Sequence, residues 1–307
     1  MSTQNENTVS PEKTGSSDAR IIARILSGDK QALEQLIRKY QDWIYNLAIR
    51  MVIKPEDAED VTQEILVKVI TNLNKFDPSR ASFKTWLYRI SANHMINMKK
   101  RGFENSKYGF ENYYERMDFI EDKVPEDSKE IRDLVEDTLI NCVLATLVCL
   151  SREARMIIIL GVIFRVDSAI GAEVLGISRE NFRKILSRSR TKLKRFMSTT
   201  CTLVNKKAKC KCHMKMTSLI EHGYKNPGKL MYKKLHHDKK IREVLGGSVS
   251  RFLTKYFYPF DAIFHSHPFW KAPDMVAWLQ NAMQGNEFEH IFDPQNVMNH
   301  FRTNSNN

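Results

Sequence analysis

Apolar residues recur at three- and four-residue spacing along most of this chain, and the every-other-residue alternation of a strand is scarce. That periodicity restricts the fold to packed helices. Residues Ala19 to Met51 read as two amphipathic helices broken at Ser27-Gly28-Asp29, where Asp29 can cap the second. Pro55 opens a helix through DAEDVTQEILVKVITNL, with Glu56, Asp57, Glu59 and Asp60 at its electropositive start. After the turn FDPSRAS comes FKTWLYRISANHMINMKKR, in which Phe83, Leu87 and Ile90 form a core stripe. Trp86, Arg89, Asn93, Asn97 and Arg101 form a second ridge of aromatic, basic and amide groups. Helices resume near Ile131 and end near Met197.

The expected fold is all-α: two small helical domains, at 19–102 and 131–198, followed by a mainly helical C-terminal accessory module at 217–301. Residues 1–18 and 302–307 are expected to be disordered, 103–130 to be an acidic linker, and 199–216 to be a cysteine-rich segment. With 307 residues and 42% apolar content the chain can bury real cores. The longest apolar run, Met156 to Phe164, is half of the roughly 18 residues needed to cross a bilayer, so a buried helix explains it. The polar start has no signal-peptide core, which predicts a cytoplasmic protein without membrane insertion. A net charge of +12 and a pI near 9.4 favour polyanionic partners.

The sharpest single motif is VDSAIGAEVLGISRENFRKILSRSRTKLKRF. A short helix from Asp167, a Gly176-Ile177-Ser178 turn and a longer helix capped by Ser178 follow helix-turn-helix grammar. Arg179, Arg183, Lys184, Ser187 and Arg188 recur on the side available to a major groove, while Phe182, Ile185, Leu186 and Leu193 can face a core. Arginines near the start can reach guanine edges, and later basic groups phosphates. An ordinary basic surface helix is the bland alternative.

AEDVTQEILVKVI, FKTWLYRISANHMINMKKR and the helix-turn-helix resemble, in order and separation, bacterial RNA polymerase sigma factors of the extracytoplasmic-function group, over about Ala19 to Met197. The resemblance implies a sigma region 2 bundle followed by a region 4 helix-turn-helix. It implies that Asp60, Gln63 and Glu64 dock on core RNA polymerase, with Val61 and Ile65 as an adjoining apolar patch. It further implies that the turn Phe76 to Ser82 takes a base flipped from the minus-ten promoter element. The strand beside it would lie along Lys84, Trp86, Arg89, Asn93, Asn97 and Arg101, a mixture of flat, basic and amide groups suited to exposed bases. Trp86 is the least secure member, since a Trp in a small helical domain is more often core than platform. Promoter DNA and core RNA polymerase are thus the expected partners, and an anti-sigma factor is a further one. The connector is either an acidic tether or an imitation of RNA in the polymerase cleft. The family's basic serine-arginine pair is replaced here by Lys184 and Ile185, so upstream-box preference does not transfer.

No phosphate loop and no nucleophile-base set occur, so the chain is expected to confer specificity on an enzyme rather than to be one. An autonomous helix-turn-helix regulator is the alternative, although it leaves Asp57 to Arg101 unexplained. No cofactor is required by this reading. In the tail, Cys201, Cys210, Cys212 and His213 could complete a tetrahedral zinc site, form a redox switch or remain unligated thiols. Lys206, Lys207, Lys209 and Lys211 are expected to lower the thiol pKa values. His265 and His267, in aromatic surroundings, read as packing histidines.

Overall fold

The computed structural model describes residues 11–100, 109–110, 120–202, 204–232, 264 and 269–283. Arg101, His265, His267, much of the linker, most of the accessory module and both chain ends lie outside the described residues. The helices in chain order are α1 (Pro11–Leu26), α2 (Lys30–Val52), α3 (Pro55–Thr71), α4 (Phe83–Asn97), α5 (Lys129–Val148), α6 (Arg152–Ile158), α7 (Ser168–Leu175), α8 (Arg179–Thr200), α9 (Met216–Glu221) and α10 (Met275–Met283). No strand occurs among the described residues, as the periodicity predicts. The chain forms two compact units, one from residues 1–41, 63–91 and 273–307 and the other from 42–62 and 92–272.

In the first unit, Ser27-Gly28-Asp29 breaks the chain as expected. Gly28 takes a left-handed φ of 95°, and Asp29 Oδ1 accepts from Ala32 N at 3.0 Å to start α2. The expected disorder of residues 11–18 is corrected: α1 begins at Pro11, and Asp18 is 2% exposed. The polar sequence hid this because Asp18 is satisfied by distant groups, Tyr40 Oη at 2.7 Å and Lys39 Nζ at 2.5 Å. Ile22, Leu36, Ile37, Ile65, Val69, Phe83 and Leu87 make the core. Each such burial stabilises by about 1.5–3 kcal/mol, well above the 0–1 kcal/mol of an exposed ion pair, so packing decides this fold. On α10, Gln280 Nε2 donates to Glu34 Oε1 at 2.6 Å, and Asp274 lies 3.7 Å from Arg38.

The second unit is centred on buried arginine. Arg155 of α6 is 2% exposed and donates to the carbonyls of Leu147 at 3.1 Å, Val148 at 3.3 Å, Leu150 at 3.3 Å and Met51 at 2.5 Å. It thereby satisfies backbone oxygens orphaned at two helix ends, those of α2 and α5. Arg152 does the same at the end of α4, donating to Ile96 O at 3.1 Å, Lys99 O at 3.1 Å and Met98 O. The apolar run after α6 continues as a π-helical turn, Ile159–Ile163, with Ile159, Leu160 and Val162 buried. It is the buried segment that its length predicts.

The linker departs from a plain tether. Helix α5 starts at Lys129, capped by Ser128, whose Oγ accepts from Ile131 N at 3.2 Å. Ile120, within the expected linker, is 3% exposed and packs with Leu134, Val135, Met216 and Leu219. Nothing in the sequence singles out Ile120 from the other apolar residues of this acidic stretch, but its burial anchors the chain at that point.

Candidate polymerase and nucleic-acid interface

Helix α3 sorts its residues by face. Asp60 and Glu64 are exposed and Gln63 is half-buried, whereas Val61 and Ile65 have no exposed surface. The expected apolar patch beside the carboxylates is therefore corrected: Val61 and Ile65 are core, and the outward face is polar. Burial and the neighbouring Asp60 and Glu56 raise the Glu59 carboxyl above its usual range, a sign of concentrated negative charge at this helix start. Such a face suits a basic partner.

The turn and α4 carry the second face. Asp77 Oδ1 accepts from Ser79 N at 2.9 Å and Ser79 Oγ at 2.6 Å, which preforms the turn. Ser82 Oγ accepts from Thr85 N at 3.1 Å and so caps α4 while remaining exposed. Inside the bend, Phe76 meets Phe83 at 5.4 Å between ring centroids, and Trp86 lies 5.7 Å from Phe76 and 5.6 Å from Phe83. Phe76 and Trp86 are each half-buried, so they build the bend as well as edge its surface.

Along α4 the buried residues are Phe83, Leu87, Tyr88, Ser91, Ala92 and Met95, while Lys84, Arg89, Asn93 and Asn97 are exposed. Ile90, expected in the core stripe, is only half-buried; Tyr88 and Ser91 take the inner positions instead. Ser91 can do so because its hydroxyl donates to Leu87 O at 2.9 Å. Asn97 Nδ2 donates to Asn93 O at 2.9 Å.

In the helix-turn-helix, Asp167 Oδ1 accepts from Ala169 N at 2.7 Å to begin α7, and Gly176 ends it with φ of 64°. Ser178 Oγ accepts from Asn181 N at 3.1 Å and begins α8, as its position predicts. Phe182 and Leu193 are fully buried, and Ile185 and Leu186 are half-buried. Arg179, Arg183, Lys184, Ser187 and Arg188 are all exposed on α8. Ser168 was not anticipated: its Oγ accepts from Arg179 Nε at 3.0 Å and from Arg183 Nε at 3.2 Å, aligning two guanidinium groups. Lys184 pairs with Glu180 at 2.7 Å.

The cysteine-rich segment is knit to the end of α8. Cys201 and Cys210 form an isolated parallel bridge, with Cys210 N donating to Thr200 O at 2.8 Å. Among the described residues no group of three His, Cys, Asp or Glu side chains is placed to hold a metal ion. The expected thiol electrostatics are corrected as well. A hydrogen bond from Cys212, and then Lys215, lowers Cys210, whereas that same hydrogen bond and burial raise Cys212. Lys215, 4% exposed, acts here because it is buried beside the thiols, unlike the four lysines singled out from the sequence.

Comparison with known proteins bears directly on α3 and α4. The family model for sigma-70 region 2 matches residues 36–102, the segment that contains both faces. Residues 36–102 are thus similar to sigma-70 region 2. The ECF RNA polymerase sigma factor SigW of Bacillus subtilis is 38% identical over 76 residues, 25% of this chain and 40% of that protein. The RNA polymerase sigma-H factor of Pseudomonas aeruginosa is 40% identical over 80 residues, 26% of this chain and 41% of its own length. The ECF RNA polymerase sigma factor SigE of Mycolicibacterium smegmatis is 29% identical over 178 residues, 56% of this chain and 65% of that protein. The chain is thus similar to these sigma factors over part of its length, and it spans less than two thirds of the length of each of the three.

Proposed function

We propose that the chain is a sigma factor that binds core RNA polymerase, recognises promoter DNA and promotes strand opening. The observation that carries this reading is the two-sided α4 within the segment similar to sigma-70 region 2: its inner face is packed, and its outer face presents Lys84, Arg89, Asn93 and Asn97. Basic and amide groups along one helix suit a single strand's phosphates and exposed base edges. Capturing a flipped base offsets an unstacking cost of a few kcal/mol, so opening needs no nucleotide hydrolysis by this chain. Asp60, Gln63 and Glu64 are the polymerase contacts in this scheme, and charge-assisted bonds to arginine would be their chemistry.

The exposed basic face of α8 supplies the second contact, with Arg179 and Arg183, aligned by Ser168, nearest the groove and Lys184, Ser187 and Arg188 behind them. An anti-sigma protein remains a candidate partner. Zinc held by Cys201, Cys210, Cys212 and His213 is tested by metal analysis of purified protein with and without Cys210→Ser. The sigma reading is tested by adding purified chain to core polymerase and scoring promoter-specific transcripts; an autonomous regulator would give none.

A further inference from the structure

Helix α2 buries two polar residues one turn apart, Asn46 and Arg50, where an amphipathic helix ordinarily buries apolar ones. Their partner is the distant segment 270–272. Asn46 Nδ2 donates to Trp270 O at 2.6 Å, and Trp270 N donates to Asn46 Oδ1 at 2.9 Å, so one side-chain amide reads both polar groups of a single peptide residue. Ala272 N donates to Asp42 Oδ1 at 2.9 Å, and Lys271 Nζ lies 2.8 Å from Asp42 Oδ2. The Trp270 ring is fully buried beneath the Arg50 guanidinium at 5.3 Å and stacks on Tyr232 at 5.7 Å. Tyr232 in turn donates through Oη to Ile53 O at 3.2 Å and through its backbone N to Asp137 Oδ1 at 2.8 Å.

A second attachment grips the linker. Buried Lys215 pairs with Asp122 at 3.1 Å and donates to Ile120 O. Lys123 N donates to Met214 O at 2.7 Å, Lys123 Nζ pairs with Glu221 at 2.6 Å, and Ser218 Oγ donates to Glu121 O at 2.9 Å. The chain just ahead of the linker is also held, because Arg152 binds the carbonyls of residues 96, 98 and 99. A free connector of some twenty residues could extend by tens of ångströms, at about 3.3 Å per residue. The contacts above hold the described segments on either side of it, residues 96–99 and 120–123.

We propose that the C-terminal extension is an intramolecular clasp, closed by Trp270 on Asn46 and by Lys215 on Asp122, that must release before the chain engages RNA polymerase. The inference rests on the sigma reading, in which the region 2 helices and α8 contact separate promoter elements and the connector must lengthen to let them. The test uses full-length Asp42→Cys/Ala272→Cys, locked by oxidation, with the wild type treated identically to account for its native thiols. Binding of bacterial core polymerase should be at least roughly tenfold weaker for the locked form than for the same protein after reduction, with the wild type changing far less. Trp270→Ala, which loosens the clasp without adding a thiol, should bind at least as tightly as wild type. Equal binding by locked and reduced forms, or weaker binding by Trp270→Ala, overturns the clasp and leaves the sigma reading intact. Absence of binding in every form removes the sigma reading, and the clasp with it.

Discussion

Gly171 has no room for a side chain, because a Cβ there would lie 2.5 Å from the Phe182 ring that fills the angle between α7 and α8. Gly171→Ala should therefore cost about 1–3 kcal/mol through overpacking, read as a lower midpoint in urea unfolding; an unchanged midpoint would contradict the packing described. On the opposite face, Arg183 is exposed and replacing it should spare stability. Arg183→Ala should weaken duplex binding by about 1–3 kcal/mol if it reads a base edge, and lower the salt slope by about 1 if it meets a phosphate. Titrations at several salt concentrations distinguish these. At this scale the sequence was most readable where the partner is local. Ser178, Asp29 and Gly176 act within a turn of themselves, whereas Asn46 finds Trp270 across 224 positions and Asp18 finds Tyr40 across 22. No period in the sequence encodes such pairings.

Helix starts give the clearest effects at the scale of elements. Asp29 and Asp167 have carboxyls held below the usual range, in each case chiefly by a backbone N–H, that of Ala32 and of Ala169 respectively. A depressed folded-state pKa means stabilisation that is complete above the ordinary carboxylate range, near pH 3.9, and lost as pH falls through the folded value. The gap in thermal midpoint between wild type and Asp29→Ala should accordingly be larger at pH 7 than at pH 3, and a gap that widens on acidification would refute this sign. For α4, Arg89→Ala and Asn93→Ala should each leave stability within about 0.5 kcal/mol of wild type. Both should reduce capture of single-stranded minus-ten DNA by the polymerase-bound protein in a fluorescence assay. Of the outer ridge, Arg89, Asn93 and Asn97 are exposed as the helical period predicts, whereas Trp86 is half-buried. The inner face was less so: Tyr88 and Ser91 displaced Ile90 from the core, and Val61 and Ile65 of α3 are core rather than docking patch, because neighbouring helices set how far round a helix burial extends.

For the whole molecule, helical class and the order of the two helices with exposed basic faces follow from periodicity, while the attachment of the tail to earlier segments does not. Lys215 lies in a lysine-rich stretch that looks solvated, and only burial against Ile120 and Asp122 distinguishes it. The net charge of +12 favours nucleic acid in general, whereas in the proposed sigma reading the choice of start site comes from residues 36–102 acting with polymerase. That claim is tested most directly by transcription from a pool of promoter fragments with core polymerase, comparing wild type with the Asp60→Ala/Glu64→Ala variant. Wild type should give transcripts from a defined subset of promoters, and the variant, with folding intact, should lose them. Transcripts unaffected by adding the protein, or equally abundant with both forms, would contradict it.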